Sequence, residues 1–274
     1  AVNKFKKYID YLSSSNVYNY EKFFNGKFKE LSYKYIDDLV DVKWKGFWHQ
    51  DIIDSLLLKK IFYYIERFVQ KVLLKQKEGG AIFFNEIFKH EMYYSSIGGD
   101  FYEVTKKYLE KLFESVDSEG REYLVFDQLI PVNNINEYSK YFNNIKVVVV
   151  DRDPCDLFLL NKCVWKEGWI PTGNVDTYIK WFKGLRNNEK CQDHNVALYL
   201  KFEDFVYNYD ETLIKLCEFL GVDIEQHEYK KRYFIPEISI NNTNLLINYP
   251  KYKLECELIR KNLSEYCYDF DLFK

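Results

Sequence analysis

The chain predicts an α/β fold: a three-layer domain built on a parallel sheet, with a helical N-terminal cap or insertion. Three observations predict it. Residues 146–150, Lys-Val-Val-Val-Val, form a β-branched run that ends abruptly in Asp151-Arg152-Asp153-Pro154. Such a run reads as a strand covered on both faces. A helix signal follows at once, and a second strand signal, Ala197-Leu-Tyr-Leu200, comes after it. Strands that alternate with helices argue for a parallel sheet layered between helices. The first third of the chain, by contrast, carries helical periodicity.

Residues 1 to about 78 read as helical throughout. The chain opens on Ala1-Val2-Asn3-Lys4-Phe5, already inside an amphipathic pattern (Val2, Phe5, Ile9, Leu12) with no capping residue before it. That pattern reads as a helix whose beginning lies upstream. The strongest helix runs from Asp51 to Lys77, where Ile52, Ile53, Leu56, Leu57, Phe62, Ile65, Phe68, Val69 and Val72 recur at helical spacing. Gly79-Gly80 stops it. Ala81-Ile-Phe-Phe84 suits a short strand, although Phe84 to Phe88 suits helix equally. A helix over residues 100–114 follows, with Phe101, Val104, Tyr108, Leu112 and Phe113 on one face.

Tyr123-Leu-Val-Phe126 reads as the next strand, ending in Asp127-Gln128-Leu-Ile-Pro131, and residues 146–150 as the one after it. Asp153 then supplies an N-cap and Pro154 the first helical position, where a missing N–H costs nothing. A further helix starts at an Asn174 cap and carries Tyr178, Ile179, Phe182 and Leu185. After the strand at 197–200, a helix begins near Asp210, buries Leu213, Ile214, Leu216, Cys217, Phe219 and Leu220, and stops at Gly221. The last helix runs from about Tyr252 to Tyr266. The whole reads as one domain over 1–274, with 1–80 a mainly helical cap and 81–274 the α/β core.

Composition narrows the partners. The 274 residues carry a formal net charge of −3 with scattered lysines, which argues against a nucleic-acid-binding surface. No apolar run reaches the length of a membrane span and no signal-peptide pattern opens the chain, so a cytoplasmic protein is expected. Six cysteines include no Cys-x-x-Cys pair, and the four histidines lie far apart. Reduced thiols without a metal site are therefore expected. There is no internal repeat and no low-complexity linker.

Arg152 is the leading candidate for chemistry. It stands at the C-terminal edge of a buried strand, beside a helix start, where open α/β sheets bind ligands and helix N-termini favour anions. The planar fork of arginine donors matches phosphate oxygens. The competing reading is an ion pair with Asp151 or Asp156. Two aromatic clusters, Trp44-Lys-Gly-Phe-Trp48-His49 and Trp165-Lys-Glu-Gly-Trp169, suit either core packing or the stacking of a sugar.

Three segments, which lie along the chain in the family's order, resemble the sulfotransferase superfamily. Val147-Val-Val-Val-Asp-Arg152-Asp-Pro-Cys-Asp156 resembles its strand-plus-RDPRD signature. Leu198-Tyr-Leu-Lys-Phe-Glu203-Asp204-Phe, followed by Thr212 to Gly221, resembles its RYEDL…FLG segment. Leu124-Val-Phe-Asp127-Gln128-Leu-Ile-Pro131 falls where the family has a strand ending in KSHLP. The match covers roughly residues 120–225, with a looser match through the last helix. The resemblance implies a P-loop/sulfotransferase type of sheet. It also implies transfer of a sulfuryl group from 3′-phosphoadenosine 5′-phosphosulfate (PAPS) to a hydroxyl or amine of a carbohydrate or small-molecule acceptor.

By the same resemblance Arg152 grips the 3′-phosphate of PAPS or of its product, adenosine 3′,5′-bisphosphate. Asn161 stands beside Leu160, which replaces the family's serine, and is the nearest polar substitute. Asn242, Thr243 and Asn244 lie where the family has a loop over the 3′-phosphate, here without its basic residue. The family's histidine base is replaced, which makes Asp127 the candidate base, with His49 in reserve. The Gly/Ser/Thr-rich phosphosulfate loop has no counterpart in the chain. It is expected upstream of Ala1, or else lost, as in a non-catalytic member of the fold used for glycan binding or protein interaction. Glu203 and Asp204 are expected to fix local structure at the strand end.

Overall fold

The computed structural model describes residues 2–75, 85–96, 100–116, 119–186, 191 and 193–273. Its contacts fall into two units, Ala1–Tyr123 and Leu124–Lys274. The division therefore comes at residue 123, well beyond the helical region expected over 1–80.

In the first unit the main elements are α1 (Val2–Ser14), α2 (Phe28–Asp38), β1 (Val42–Gly46), α3 (Leu57–Phe68), β2 (His90–Tyr94) and α4 (Phe101–Glu114), with single helical turns at Tyr20–Phe23 and Asn85–Phe88. Ile9 and Leu12, one turn apart on α1, pack with Phe24, Phe28, Ile36 and Leu112. Polar groups inside this packing are paired, as burial demands: the Tyr35 hydroxyl lies 3.0 Å from Thr105 Oγ1 and Ser32 Oγ lies 2.8 Å from the Tyr108 hydroxyl.

The expectation of unbroken helix over 1–78 does not hold. β1 interrupts it and pairs antiparallel with β2, Val42 opposite Tyr94 and Gly46 opposite His90. Val42-Lys-Trp-Lys-Gly46 alternates apolar and basic residues with a period of two, and Val and Trp favour strand. The expected helix over 51–77 is shorter. It begins after a 3-10 turn at His49–Ile52, runs through α3, and continues as a π-helical turn, Val69–Leu73. The expected stop at Gly79-Gly80 and the strand considered at 81–84 lie outside the described residues.

In the second unit β3 (Val147–Asp151) pairs in parallel with β4 (Ala197–Lys201), Val147 opposite Ala197 and Asp151 opposite Lys201. The crossover between them carries α5 (Pro154–Leu160), a π-helical turn at Asn161–Trp165, and α6 (Val175–Arg186). After β4 come α7 (Phe202–Tyr207), α8 (Tyr209–Leu220) and α9 (Lys253–Asn262). The caps form as the local chemistry dictates. Asp153 Oδ1 accepts from Cys155 N at 2.8 Å and Asp156 N at 3.0 Å, and Asn174 Oδ1 accepts from Thr177 N at 2.9 Å. Gly221 closes α8 with φ 76°.

The strand expected at Tyr123–Phe126 is not a strand. Among the described residues β3 and β4 are the strands of this unit's sheet, and Val125 is 95 % exposed. With no neighbour on one side, the valines of β3 are half-buried rather than covered on both faces, and Val150 is exposed. The main core sits beneath the helices instead: Phe158, Leu159, Tyr178, Phe182, Cys256 and Ile259 interlock where α5, α6 and α9 meet. A smaller cluster of Ile135, Cys191 and Ala197 packs with Ile130, Val147, Val149 and Tyr199 of the strand pair. The described chain is thus a mixed α/β protein, rich in helix, with one parallel strand pair.

Candidate anion site at the ends of the parallel strands

The parallel register puts Asp151 opposite Lys201, so Arg152 and Phe202 are the first residues beyond the paired ends. Their side chains meet: the Arg152 guanidinium carbon lies 4.3 Å from the centroid of the Phe202 ring and 5.8 Å from that of Trp165. Aromatic faces hold a guanidinium through their negative quadrupole without neutralising its charge.

Neither carboxylate expected as an ion-pair partner takes up Arg152. Asp151 Oδ1 accepts from Arg186, with Nε at 3.2 Å, and both side chains are largely buried. Asp156 accepts two backbone N–H groups from the loop 88 and 89 residues away, Asn244 N at 2.7 Å and Leu245 N at 2.8 Å. Arg152 Nη2 donates to the carbonyl of Asn242. Among the described residues Arg152 forms no ion pair, and its Nε is buried with no hydrogen-bond partner. Burial pulls this guanidinium below the ordinary arginine value, while Glu203, Asp156 and Asp153 act in the opposite direction.

Three buried carboxylates brace the strand ends. Asp153 caps α5 with Oδ1 and accepts from Tyr268 N at 2.9 Å with Oδ2. Glu203 Oε1 accepts from Asp153 N at 2.9 Å, while its Oε2 is buried without a partner. Burial raises the Glu203 carboxyl, and burial together with Asp153 pushes Asp156 up to about 7 against the pull of its two N–H donors. Asp153 also changes what the helix start can do. It takes up the N–H groups of Cys155 and Asp156, so these donors at the start of α5 are already engaged.

The structure brings some of the candidate residues together and leaves others apart. Arg152 meets the loop carrying Asn242, Thr243 and Asn244. In that loop Asn242 is exposed and Asn244 is left-handed at φ 49°. The Thr243 hydroxyl lies 2.7 Å from the Tyr207 hydroxyl and donates to Ile240 O at 2.8 Å. Asn161 is buried, and its amide is fully engaged in its own turn. Nδ2 donates to Ile170 O at 3.1 Å and Thr172 Oγ1 at 3.2 Å, while Oδ1 accepts from Glu167 N at 2.8 Å. Asp127 is exposed, with Gln128 Nε2 at 3.4 Å from Oδ2. His49 begins the 3-10 turn of the first unit, and its side chain lies outside what is described.

Two neighbours of Arg152 escape sequence reasoning. Phe202 follows a strand directly, as Arg152 does, and becomes legible once the two strands are aligned from their first residues. Trp165 is visible as an aromatic but not as a neighbour of Arg152, because the π-helical turn sets its direction. Among the described residues no group of His, Cys, Asp or Glu is arranged to hold a metal ion. Comparison with known proteins finds no matching family model, no matching curated protein and no matching solved structure.

Proposed function

We propose that the second unit binds a phosphorylated nucleotide through Arg152 and that the protein is a PAPS-dependent sulfotransferase. Its acceptor would be a hydroxyl or amine of a carbohydrate or small molecule, and its sheet would be of the three-layer P-loop/sulfotransferase type. The observation that carries the reading is a partly desolvated arginine with a buried, unpartnered Nε and no carboxylate in ion-pair reach. Glu203, Asp156 and Asp153 act on the guanidinium only from beyond ion-pair distance, and a bound phosphate would supply the close countercharge that it lacks. The backbone of the 242–244 loop already anchors one arm of the guanidinium.

In the proposed reaction the acceptor oxygen or nitrogen forms a bond to sulfur as the bond from sulfur to the 5′-phosphate oxygen breaks. Adenosine 3′,5′-bisphosphate leaves, and the acceptor proton passes to the Asp127 carboxylate. Transfers of this kind proceed through a loose in-line transition state, so positioning and charge stabilisation carry the rate. Arg152 contributes by holding the nucleotide at its 3′-phosphate. A second reading, a sulfotransferase-like scaffold without catalysis, draws on the solvent-exposed position of Asp127 and the engaged amide of Asn161. Calorimetric titration of adenosine 3′,5′-bisphosphate tests the first reading. A Kd on the order of micromolar, lost in Arg152→Ala with circular dichroism unchanged, is expected. A folded protein that takes up no ligand removes both the cofactor and the enzyme reading. Sulfuryl transfer abolished by Asp127→Asn, with nucleotide affinity kept, separates the enzyme from the scaffold.

A further inference from the structure

The α3 helix and the turn that extends it pack with the wrong face inward. Glu66 and Gln70 are buried at 0 % and 2 % exposure, with Gln70 Nε2 donating to Glu66 Oε1 at 3.1 Å. Tyr63, on the same side, sets its ring 6.2 Å from Phe47 and 6.1 Å from Phe88. The opposite side carries Leu58, Ile61, Phe62, Ile65, Phe68 and Val72, all exposed, Leu58 at 69 % and Phe68 at 57 %. These positions recur every three or four residues, so they form one continuous apolar stripe. An ordinary surface helix turns such a stripe to the core. A stripe of this size left in water marks a binding surface.

Charge identifies what covers it. Residues 57–75 hold Lys59, Lys60, Arg67, Lys71 and Lys75, and their only acid is the buried Glu66. Among the described residues none of these lysines forms an ion pair. The acids just before the helix are already engaged, Asp54 with Lys4 at 3.1 Å and Asp51 with His90 Nε2 at 3.2 Å. A second copy docked through this stripe would bring two cationic helices together, which opposes pairing. An anionic bilayer satisfies both features, taking the apolar stripe into its interface and the lysines at its headgroups. No described helix is long and apolar enough to cross a membrane, which agrees with a helix lying in the interface plane.

The geometry points to residues 57–75 as a docking surface for an anionic lipid bilayer. Flotation of the whole protein with phosphatidylcholine vesicles, with and without phosphatidylserine, tests it, run beside light scattering of the free protein. Binding to the phosphatidylserine vesicles is expected, weakened about tenfold or more by Lys59→Gln with Lys71→Gln, and by raised salt. Phe62→Ser with Ile65→Ser should abolish it while circular dichroism stays unchanged, since both side chains are exposed. Failure to float with either vesicle overturns the assignment. So does equal binding to neutral vesicles, or a dimer that Ile65→Ser disperses, which would make the stripe a contact between copies.

Discussion

Arg152 is held by an aromatic face and a backbone carbonyl, while Asp151 is occupied with another arginine and Asp156 with two N–H groups. That division of labour has a consequence at Asp156. Its folded-state value, about 7, lies above the ordinary 3.8, so between those two values the folded protein binds this proton more tightly than the unfolded chain. The group's contribution to stability is therefore greatest below 3.8, falls as pH rises toward 7, and is level above. Urea unfolding from pH 4 to 8 should show wild type losing stability relative to Asp156→Asn over that interval. A wild type that gains stability relative to Asp156→Asn as pH rises would contradict the burial argument. The half-buried pair of Tyr207 and Thr243 gives a second expectation. Tyr207→Phe should cost about 1 kcal/mol in the same assay, the net worth of a hydrogen bond. At this scale the sequence is legible where the chemistry is local: Asp153 and Pro154 announce a capped start, and Asn174 another. The partners of Arg152 are not local. Asn242 reaches it from ninety residues away, and Phe202 only through strand register.

Elements followed the same rule. The helices at 101–114, 175–186 and 209–220 form close to where the sequence places them, the first by its apolar face and the others by the Asn174 start signal and the Gly221 stop signal. Gly221 is such a signal. At φ 76° a Cβ is strained, so Gly221→Ala should cost about 1–2 kcal/mol, read as a lower urea midpoint. An unchanged midpoint would mean that the end of α8 does not need this conformation. Strands were less legible. Val147–Asp151 stands out by its β-branched run, but Val42–Gly46 is five residues long inside a helical stretch and takes its identity from pairing with His90–Tyr94. Tyr123–Phe126 has strand composition and no ladder, since a strand exists only where a neighbour accepts its hydrogen bonds.

For the whole molecule, the boundary between the two units at Tyr123 and Leu124 carries no Pro/Gly/Ser-rich linker, so composition could not mark it. Arg121 lies beside it with an exposed side chain, in a stretch without helix or strand. Limited trypsin digestion of the native protein should cut there first, giving masses for 1–121 and 122–274; a first cut within α8 or α9 would contradict the division. The central claim, that Arg152 holds the 3′-phosphate of a nucleotide, is tested most directly by crossing ligand and variant. Adenosine 3′,5′-bisphosphate and adenosine 5′-monophosphate are titrated into wild type and Arg152→Ala. The account predicts that wild type prefers the bisphosphate by about tenfold or more, and that the variant binds both alike. A preference that survives in Arg152→Ala, or no preference in wild type, would contradict it.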